Sequence, residues 1–244
     1  AQDITCYGMD WDGKPHLADL LEELCKLDFH WIRLHYLYPE WIDDRLIDVI
    51  AREDKILKYL DIPLQHCNDK ILKKMNRRGD KKYLCALLDK LRECIPGLVL
   101  RTSIIAGLPG EGEEEFDELC DFLREQKLLR AGVFPYSPEE GTRAAKMERV
   151  DSDEAARRAE RIVDIQSEII DAWNDERQGD VMEVLCEGFD GQSMLFVGRS
   201  YAESPDIDGR IYFSAPRDVA AGEFVPVRIT GAMDGELTGE LAEE

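Results

Sequence analysis

Basic residues are scarce in this chain relative to acidic ones. Its 244 residues carry 31 Lys and Arg against 52 Asp and Glu, a formal net charge of −21. That deficit argues against a protein that grips nucleic acid through its phosphates, because each phosphate contact needs a cation. Lysine stops altogether at Lys146, and from Asp180 to Glu244 four arginines stand against 14 acidic residues. Long apolar runs are missing too, and none reaches the roughly 18 residues that a membrane-crossing helix requires. The opening residues are polar, with no basic stretch ahead of an apolar one, so no signal peptide is expected.

Cysteine is present but unclustered. The seven are Cys6, Cys25, Cys67, Cys85, Cys94, Cys120 and Cys186, and no two are closer than the nine positions from Cys85 to Cys94. Disulfide scaffolds and CxxC metal knuckles are spaced differently, so a reducing, cytoplasmic compartment is expected. What is plentiful is periodic aliphatic sequence. Hydrophobic residues make up 44%, which excludes a disordered acidic chain and supports one large domain or a medium one with a small one.

From the start to about residue 137, helical and strand-like segments alternate. Leu17, Leu20, Leu21 and Leu24 recur at i, i+3, i+4, i+7. Phe29 to Leu37 reads as a strand, Leu46–Ile50 as part of a helix, and Ile56 to Leu64 as an apolar strand. Asp69 is expected to open a short helix and Asp80 to cap a longer one. Leu98 to Gly107 and Ala131 to Tyr136 read as further strands, separated by a helix carrying Phe116, Leu119, Cys120 and Leu123. Strands alternating with amphipathic helices predict a parallel sheet covered by helices. Four strands are few for a closed sheet. Ala1 to Thr5 reads as the end of another strand, so the alternating region is expected to be incomplete at its N-terminus. A long helix follows from Asp151 to Gln178, ending at Gly179. Beyond it, Val181–Phe189, Ser193–Ser200, Arg210–Ala215, Glu223–Ala232 and Glu236–Leu241 read as five short antiparallel strands. Asp-Gly turns at 190–191, 208–209 and 234–235 connect them, which predicts a small closed barrel of OB-like size. The expected domains are therefore 1–178 and 179–244.

In a barrel of parallel strands, chemistry gathers at the loops after the strand C-termini. Those positions hold Gln2 and Asp3, His35 and Tyr38, Gln65 and His66, Ser103, the Gly107-Leu108-Pro109-Gly110-Glu111 turn, and Tyr136 to Thr142. Glycines let backbone approach a ligand closely, although a Pro-Gly turn is also ordinary strand-to-helix punctuation. Gln65 can donate and accept, which suits an amino-acid or nucleoside group or a partner at the barrel mouth. His35, inside an aromatic strand, fits a structural role better. Arg77 could return past the mouth to a carboxylate or simply end its helix in solvent. No metal-site spacing and no Ser/His/Asp arrangement stands out.

The stretch Leu60-Asp61-Ile62-Pro63-Leu64-Gln65-His66, then Leu72 to Met75 and Arg77-Arg78-Gly79, resembles the radical SAM methylthiotransferases. So do Ile105 to Glu111 and Tyr136 to Thr142, and the tail resembles a TRAM domain. The resemblance spans essentially the whole chain. It implies a partial radical SAM (β/α) barrel with parallel strands followed by a small antiparallel β-barrel. His66 after Gln65, Glu139-Glu140 before Gly141-Thr142 and the acidic tail resemble the branch that methylthiolates an aspartate β-carbon of ribosomal protein S twelve. The tRNA-modifying branch is the alternative, as is a docking module for a basic ribosomal protein without catalysis. The implied cofactors are S-adenosyl-L-methionine and two 4Fe–4S clusters in the full-length enzyme. The family's CxxxCxxC loop and its N-terminal three-cysteine domain are absent from these residues, so the cluster ligands are expected in missing N-terminal parts of the same enzyme. By the resemblance, Gln2 and Asp3 face the methionine amino group, and Gln65, Arg77 and Ser103 approach its carboxylate and ribose. The turn from Gly107 to Glu111 lines the adenine side. The implied partner is ribosomal protein S twelve, met through the acidic tail. The isolated chain is expected to be inactive.

Overall fold

A computed structural model describes residues 2–242. The chain divides into two units, Ala1–Gln166 and Ser167–Glu244.

The first unit is built on β1 (Ile32–Leu34), β2 (Ile56–Asp61), β3 (Val99–Ala106) and β4 (Arg130–Pro135). Among the described residues these form one parallel sheet in the order β1-β2-β3-β4. Between and around them run α1 (Met9–Asp12), α2 (Leu17–Cys25), α3 (Asp44–Arg52), α4 (Asp69–Lys74), α5 (Lys81–Cys94) and α6 (Glu113–Gln126). Short polar side chains start α3, α4 and α5 by accepting otherwise orphaned amides. Asp43 accepts from Leu46 N, and Asp80 caps α5 by accepting from Tyr83 N. The short helix α4 is capped by Asn68, which accepts from Lys70 N and Ile71 N. Asp69, expected in that role, instead accepts from Lys81 N at 2.8 Å.

Burial along β3 alternates. Leu100, Thr102, Ile104 and Ala106 are buried, whereas Arg101, Ser103 and Ile105 are half-buried. Parallel sheets are ordinarily covered on both faces. Here one face of β3 packs in the core, and the other is half-buried and carries Arg101 and Ser103 beside Ile105.

Two expectations change at the N-terminus. The strand anticipated over Phe29 to Leu37 contracts to Ile32–Leu34; on its C-terminal side Tyr36 takes a left-handed φ of 59° that ends the extended run. The strand end anticipated at Ala1 to Thr5 is not formed by Gln2 to Thr5, which lie in coil and turn, while Ala1 lies outside the described residues. Ile4 N–H donates to Tyr36 O, just past β1, at 3.1 Å.

A long helix, α7 (Ser152–Glu176), starts in the first unit and ends in the second. Asp151 caps it, accepting from Asp153 N and Glu154 N. In the first unit Gln166 donates to Leu128 O and Leu129 O at 2.9 and 2.7 Å.

The second unit is a closed barrel of β5 (Val181–Asp190), β6 (Leu195–Arg199), β7 (Ile211–Ser214), β8 (Phe224–Met233) and β9 (Glu236–Leu241), in the order β5-β6-β7-β9-β8. Alternate residues of β5 and β8 point inward, so that Val184, Cys186, Val225, Val227 and Ile229 form a core with Phe213 of β7, against which Trp173 packs. Asp234 and Gly235 both take positive φ, 53° and 79°, as the tight β8–β9 hairpin demands. The barrel is not wholly antiparallel. Closure places β9 beside β7, two strands earlier in the chain and running the same way, so that pair is parallel.

Candidate functional site

The C-terminal ends of β2 and β3 bring together five of the seven residues singled out in the sequence. Gln65 sits in a left-handed conformation, φ 69°, which is costly for a side-chain-bearing residue and persists only where neighbours fix it. Its N–H donates to Ser103 O at 2.8 Å and its carbonyl accepts from Ile105 N at 3.0 Å, stitching the loop after β2 onto β3. Arg77 turns back over the same loop, donating to Pro63 O at 2.9 Å with its guanidinium 4.6 Å from the Tyr38 ring centre.

Gly107 and Glu111 share one turn. Gly107 has φ +80°, and a Cβ there would lie 2.4 Å from Ala155 Cβ, so glycine is needed for both conformation and space. Glu111 is buried, and its carboxylate accepts from Gly107 N at 2.9 Å and Leu108 N at 3.4 Å. Arg158 of α7 pairs with it at 2.9 Å. Burial opposes charge on this carboxyl, but His66, the Gly107 amide and Arg158 outweigh burial and hold it below its ordinary pKa. Gly110, φ +84°, lies against the Lys74 side chain, whose Nζ would be 1.7 Å from a Cβ at that position.

At the C-terminal ends of β3 and β4 is an open cavity of about 380 Å³, lined mainly by apolar surface from Ile105, Phe134, Pro135, Tyr136 and Thr142, with Glu139 also reaching it. The half-open sheet face supplies a second, polar group. Asp61, 1% exposed, accepts from Arg101 Nη1 at 2.9 Å and from Tyr36 N at 3.3 Å, with His35 Nδ1 3.7 Å away. Burial raises the Asp61 pKa, but His35 and Arg101 draw it below the usual value. Arg33 lies 4.3 Å from the ring centre of the buried Tyr59.

Gln2 and Asp3 are not joined to this group by the bonds that tie the loops together. Gln2 is exposed. Asp3 spends its carboxylate on its own turn, accepting from Thr5 N at 2.8 Å, from the Thr5 hydroxyl and from Cys6 Sγ at 2.9 Å. Sequence reasoning passed over Asp61, Arg101 and Arg158. An arginine alternating with apolar residues in Val99–Ala106, and an aspartate inside Leu60-Asp61-Ile62, were signals of a polar sheet face. Nothing local marked Arg158.

The arrangement suits a ligand with a flat apolar ring and a polar, charged end. Glycine-turn backbone and an apolar cavity receive the first, while the polar sheet face and Arg77 border the second. These residues do not fit an iron–sulfur cluster. Among the described residues no three His, Cys, Asp or Glu side chains converge to hold a metal, and Cys67, Cys120 and Cys186 are buried separately.

Comparison with known proteins agrees with this architecture. The model of the TRAM domain matches residues 179–242, and that of the radical SAM superfamily matches residues 2–123. The whole chain is 46% identical to the ribosomal protein uS12 methylthiotransferase RimO of Symbiobacterium thermophilum, covering 51% of it. It is 44% identical to the protein of the same name from Acetivibrio thermocellus, covering 54%. The chain thus spans about half the length of the curated relatives it matches. Among solved structures, coproporphyrinogen III oxidase (HemN) from Escherichia coli, a radical SAM enzyme, aligns with 64% of this chain and 39% of its own, at a TM-score of 0.52 and 21% identity. That likeness concerns the fold alone. With half its length matched by the superfamily model and a parallel βα sheet beneath the site, the chain belongs to the radical SAM superfamily and carries a TRAM domain behind it.

Proposed function

We propose that this chain is the S-adenosylmethionine-binding and substrate-docking portion of a methylthiotransferase that adds a methylthio group to the β-carbon of an aspartate in ribosomal protein uS12. Residues 1–178 serve as the cofactor-binding part and 179–244 as the docking part. The observation that carries the reading is an apolar cavity and a glycine turn at the C-terminal ends of parallel strands, together with the polar pair of Asp61 and Arg101 on the sheet.

In this reading the adenine ring lies against Ile105, Phe134 and Tyr136, with the Gly107–Glu111 turn bordering it. Gln65, Ser103 and Arg77 approach the ribose and the methionine carboxylate, and Gln2 and Asp3 the amino group. When bound and reduced by an iron–sulfur cluster, S-adenosylmethionine supplies a carbon radical and, separately, a methyl group. Two 4Fe–4S clusters belong to the full-length enzyme, and their ligands lie outside this chain. The protein's own residues bind and orient: Arg77 neutralises an anionic end, the apolar walls exclude water from the ring, and the sheet face fixes the polar groups. Catalysis is not expected of this portion alone.

The acidic barrel supports uS12 over RNA as partner. Four arginines against 14 acidic residues repel phosphates and attract a basic ribosomal protein. Such an enzyme works in the cytoplasm, where ribosomal proteins are made. Two titrations of the purified chain test the proposal. S-adenosylmethionine is expected to bind saturably and to lose affinity when Ile105→Asp puts a charge in the cavity. Purified uS12 is expected to bind at physiological salt and weaken as salt rises. Absence of both would sink the proposal. Binding of uS12 alone would leave a docking module without cofactor chemistry, and tight binding of a tRNA anticodon stem-loop would favour the tRNA-modifying branch.

A further inference from the structure

Three segments far apart in sequence meet at the Glu111 carboxylate. Glu111, Arg158 and His66 are 3%, 7% and 0% exposed, and none of them lines the neighbouring cavity. Arg158 Nη1 donates both to Glu111 Oε1, at 2.9 Å, and to the Glu111 main-chain oxygen, at 3.0 Å. Its Nε donates to Glu154 at 3.0 Å, and its guanidinium lies 5.1 Å from the Phe116 ring centre, so the group has little freedom to turn. On the opposite side, His66 Nδ1 accepts from Cys67 N and Asn68 N, both at 3.0 Å. That assigns the ring proton to Nε2, which faces Glu111 Oε2 at 3.4 Å.

The carboxylate oxygens between these two groups are occupied by the turn itself, through the amides of Gly107 and Leu108. A buried carboxylate that accepts backbone amides fixes the direction of those peptide units. It can do so only while a counter-charge offsets its desolvation. Gly107 is simultaneously pressed by Ala155, one helical turn before Arg158 on α7. The helix therefore meets the turn twice, once by contact with Gly107 and once by charge through Glu111.

We infer that Arg158 is a positioning residue for the ligand site, acting through Glu111 to fix the backbone of the Gly107–Glu111 turn. The inference rests on the proposal that this turn borders an adenosyl ligand. It assigns Glu111 to holding the turn rather than to touching the ligand, and it gives α7 a part in the cofactor site in addition to its role as connector.

The test compares the unaltered chain with Arg158→Lys, Arg158→Met and the double variant Glu111→Gln/Arg158→Met. Hydrogen exchange is followed on peptides across the first unit, alongside titration with S-adenosylhomocysteine. In Arg158→Met, the Gly107 and Leu108 amides are expected to exchange at least about tenfold faster while α5 and α6 keep their rates. Affinity should fall by about tenfold. Arg158→Lys, which keeps the charge but not the fork of donors, should lie between. The double variant should unfold at a higher denaturant concentration than Arg158→Met, since it strands no buried charge. Unchanged exchange at the turn in either single variant overturns the inference. Uniform acceleration across the unit also overturns it, because Arg158 would then be merely structural, as does faster exchange at the turn with unaltered affinity. If Arg158→Met does not fold, Arg158→Lys decides by the same readings. If the unaltered chain binds no S-adenosylhomocysteine, the cofactor proposal falls, while exchange still decides whether Arg158 fixes the turn.

Discussion

The contact between Gly107 and Ala155 makes a sharp quantitative test of how the ligand turn is built. Replacing Gly107 by Ala does two separable things. It places a Cβ on a residue with φ +80°, at a cost of about 1–2 kcal/mol for a left-handed side-chain-bearing residue. It also drives that Cβ to 2.4 Å from Ala155 Cβ and 3.1 Å from Ala155 Cα; overpacking of this kind costs about 1–3 kcal/mol. Gly107→Ala should therefore destabilise the first unit by about 2–5 kcal/mol. Ala155→Gly alone costs about 1 kcal/mol through helix propensity. In the double variant the 2.4 Å clash with Ala155 Cβ disappears, while the 3.1 Å approach to the Cα of residue 155 and the φ cost remain, so its loss should fall short of the sum of the singles by about 1–2 kcal/mol. The assay is urea unfolding by tryptophan fluorescence in a Trp173→Phe background, which leaves Trp11, Trp31 and Trp41 to report on the first unit. The background matters because two units need not unfold in one transition. Strict additivity would refute the claim that close approach to α7 is what demands glycine at position 107.

The remaining predictions concern charge and thiols. Arg101→Met strands the buried Asp61 carboxylate and should cost about 3–5 kcal/mol, whereas Asp61→Asn/Arg101→Met should cost less; urea midpoints check both. Because the folded-state pKa values of Asp61 and Glu111 lie below their unfolded ones, each contributes stability above the unfolded value and loses it as pH falls through the folded value. The unaltered chain should accordingly lose stability below about pH 4, and Asp61→Asn should lose less over the same range, as acid titration followed by circular dichroism will show. Alkylation at pH 8 should label exposed Cys94 first. Cys6, whose thiol is pushed up to about 11 by burial and Asp3, and buried Cys67, pushed higher still by burial and Glu118, should lag by orders of magnitude when read by mass spectrometry. Neutralising exposed Asp206 and Asp218 as Asn should weaken uS12 binding and flatten its salt dependence, and an unchanged salt slope would count against the barrel as the docking surface.

How much of this was legible in the sequence depended on whether the cause was local. Asp80 and Asp151 announce their helices because an N-cap bond spans only two or three residues. The barrel strands announce themselves because each has one face in a core, and Asp234-Gly235 because only a few residues accept positive φ twice in succession. The Phe29–Leu37 run misled for the same local reason. Aromatic and β-branched composition promises a strand, while the left-handed Tyr36 that ends it is fixed by neighbours, its amide on Asp61 and its carbonyl accepting from Ile4. The parallel β7–β9 pair follows from barrel closure, which no single segment encodes.

The site divides along the same line. That Gln65, Ser103 and the Gly107 turn gather at strand ends follows from βα topology, which periodicity reveals. The state of each group once there is set at longer range. Glu111 sits in a Gly-Leu-Pro-Gly-Glu turn and by position alone could face a ligand or close the turn. Arg158, 47 positions later, decides between them, since a counter-charge deep in the core leaves the carboxylate nothing to offer outward. Asp61 is decided likewise by Arg101, one strand over and 40 positions on. Buried charges in this fold are thus meaningful only as pairs, and the partner is chosen by strand order and helix docking rather than by spacing. A carboxylate read from a motif in such a barrel should therefore be assigned to ligand or scaffold only after the cation on the neighbouring element has been found.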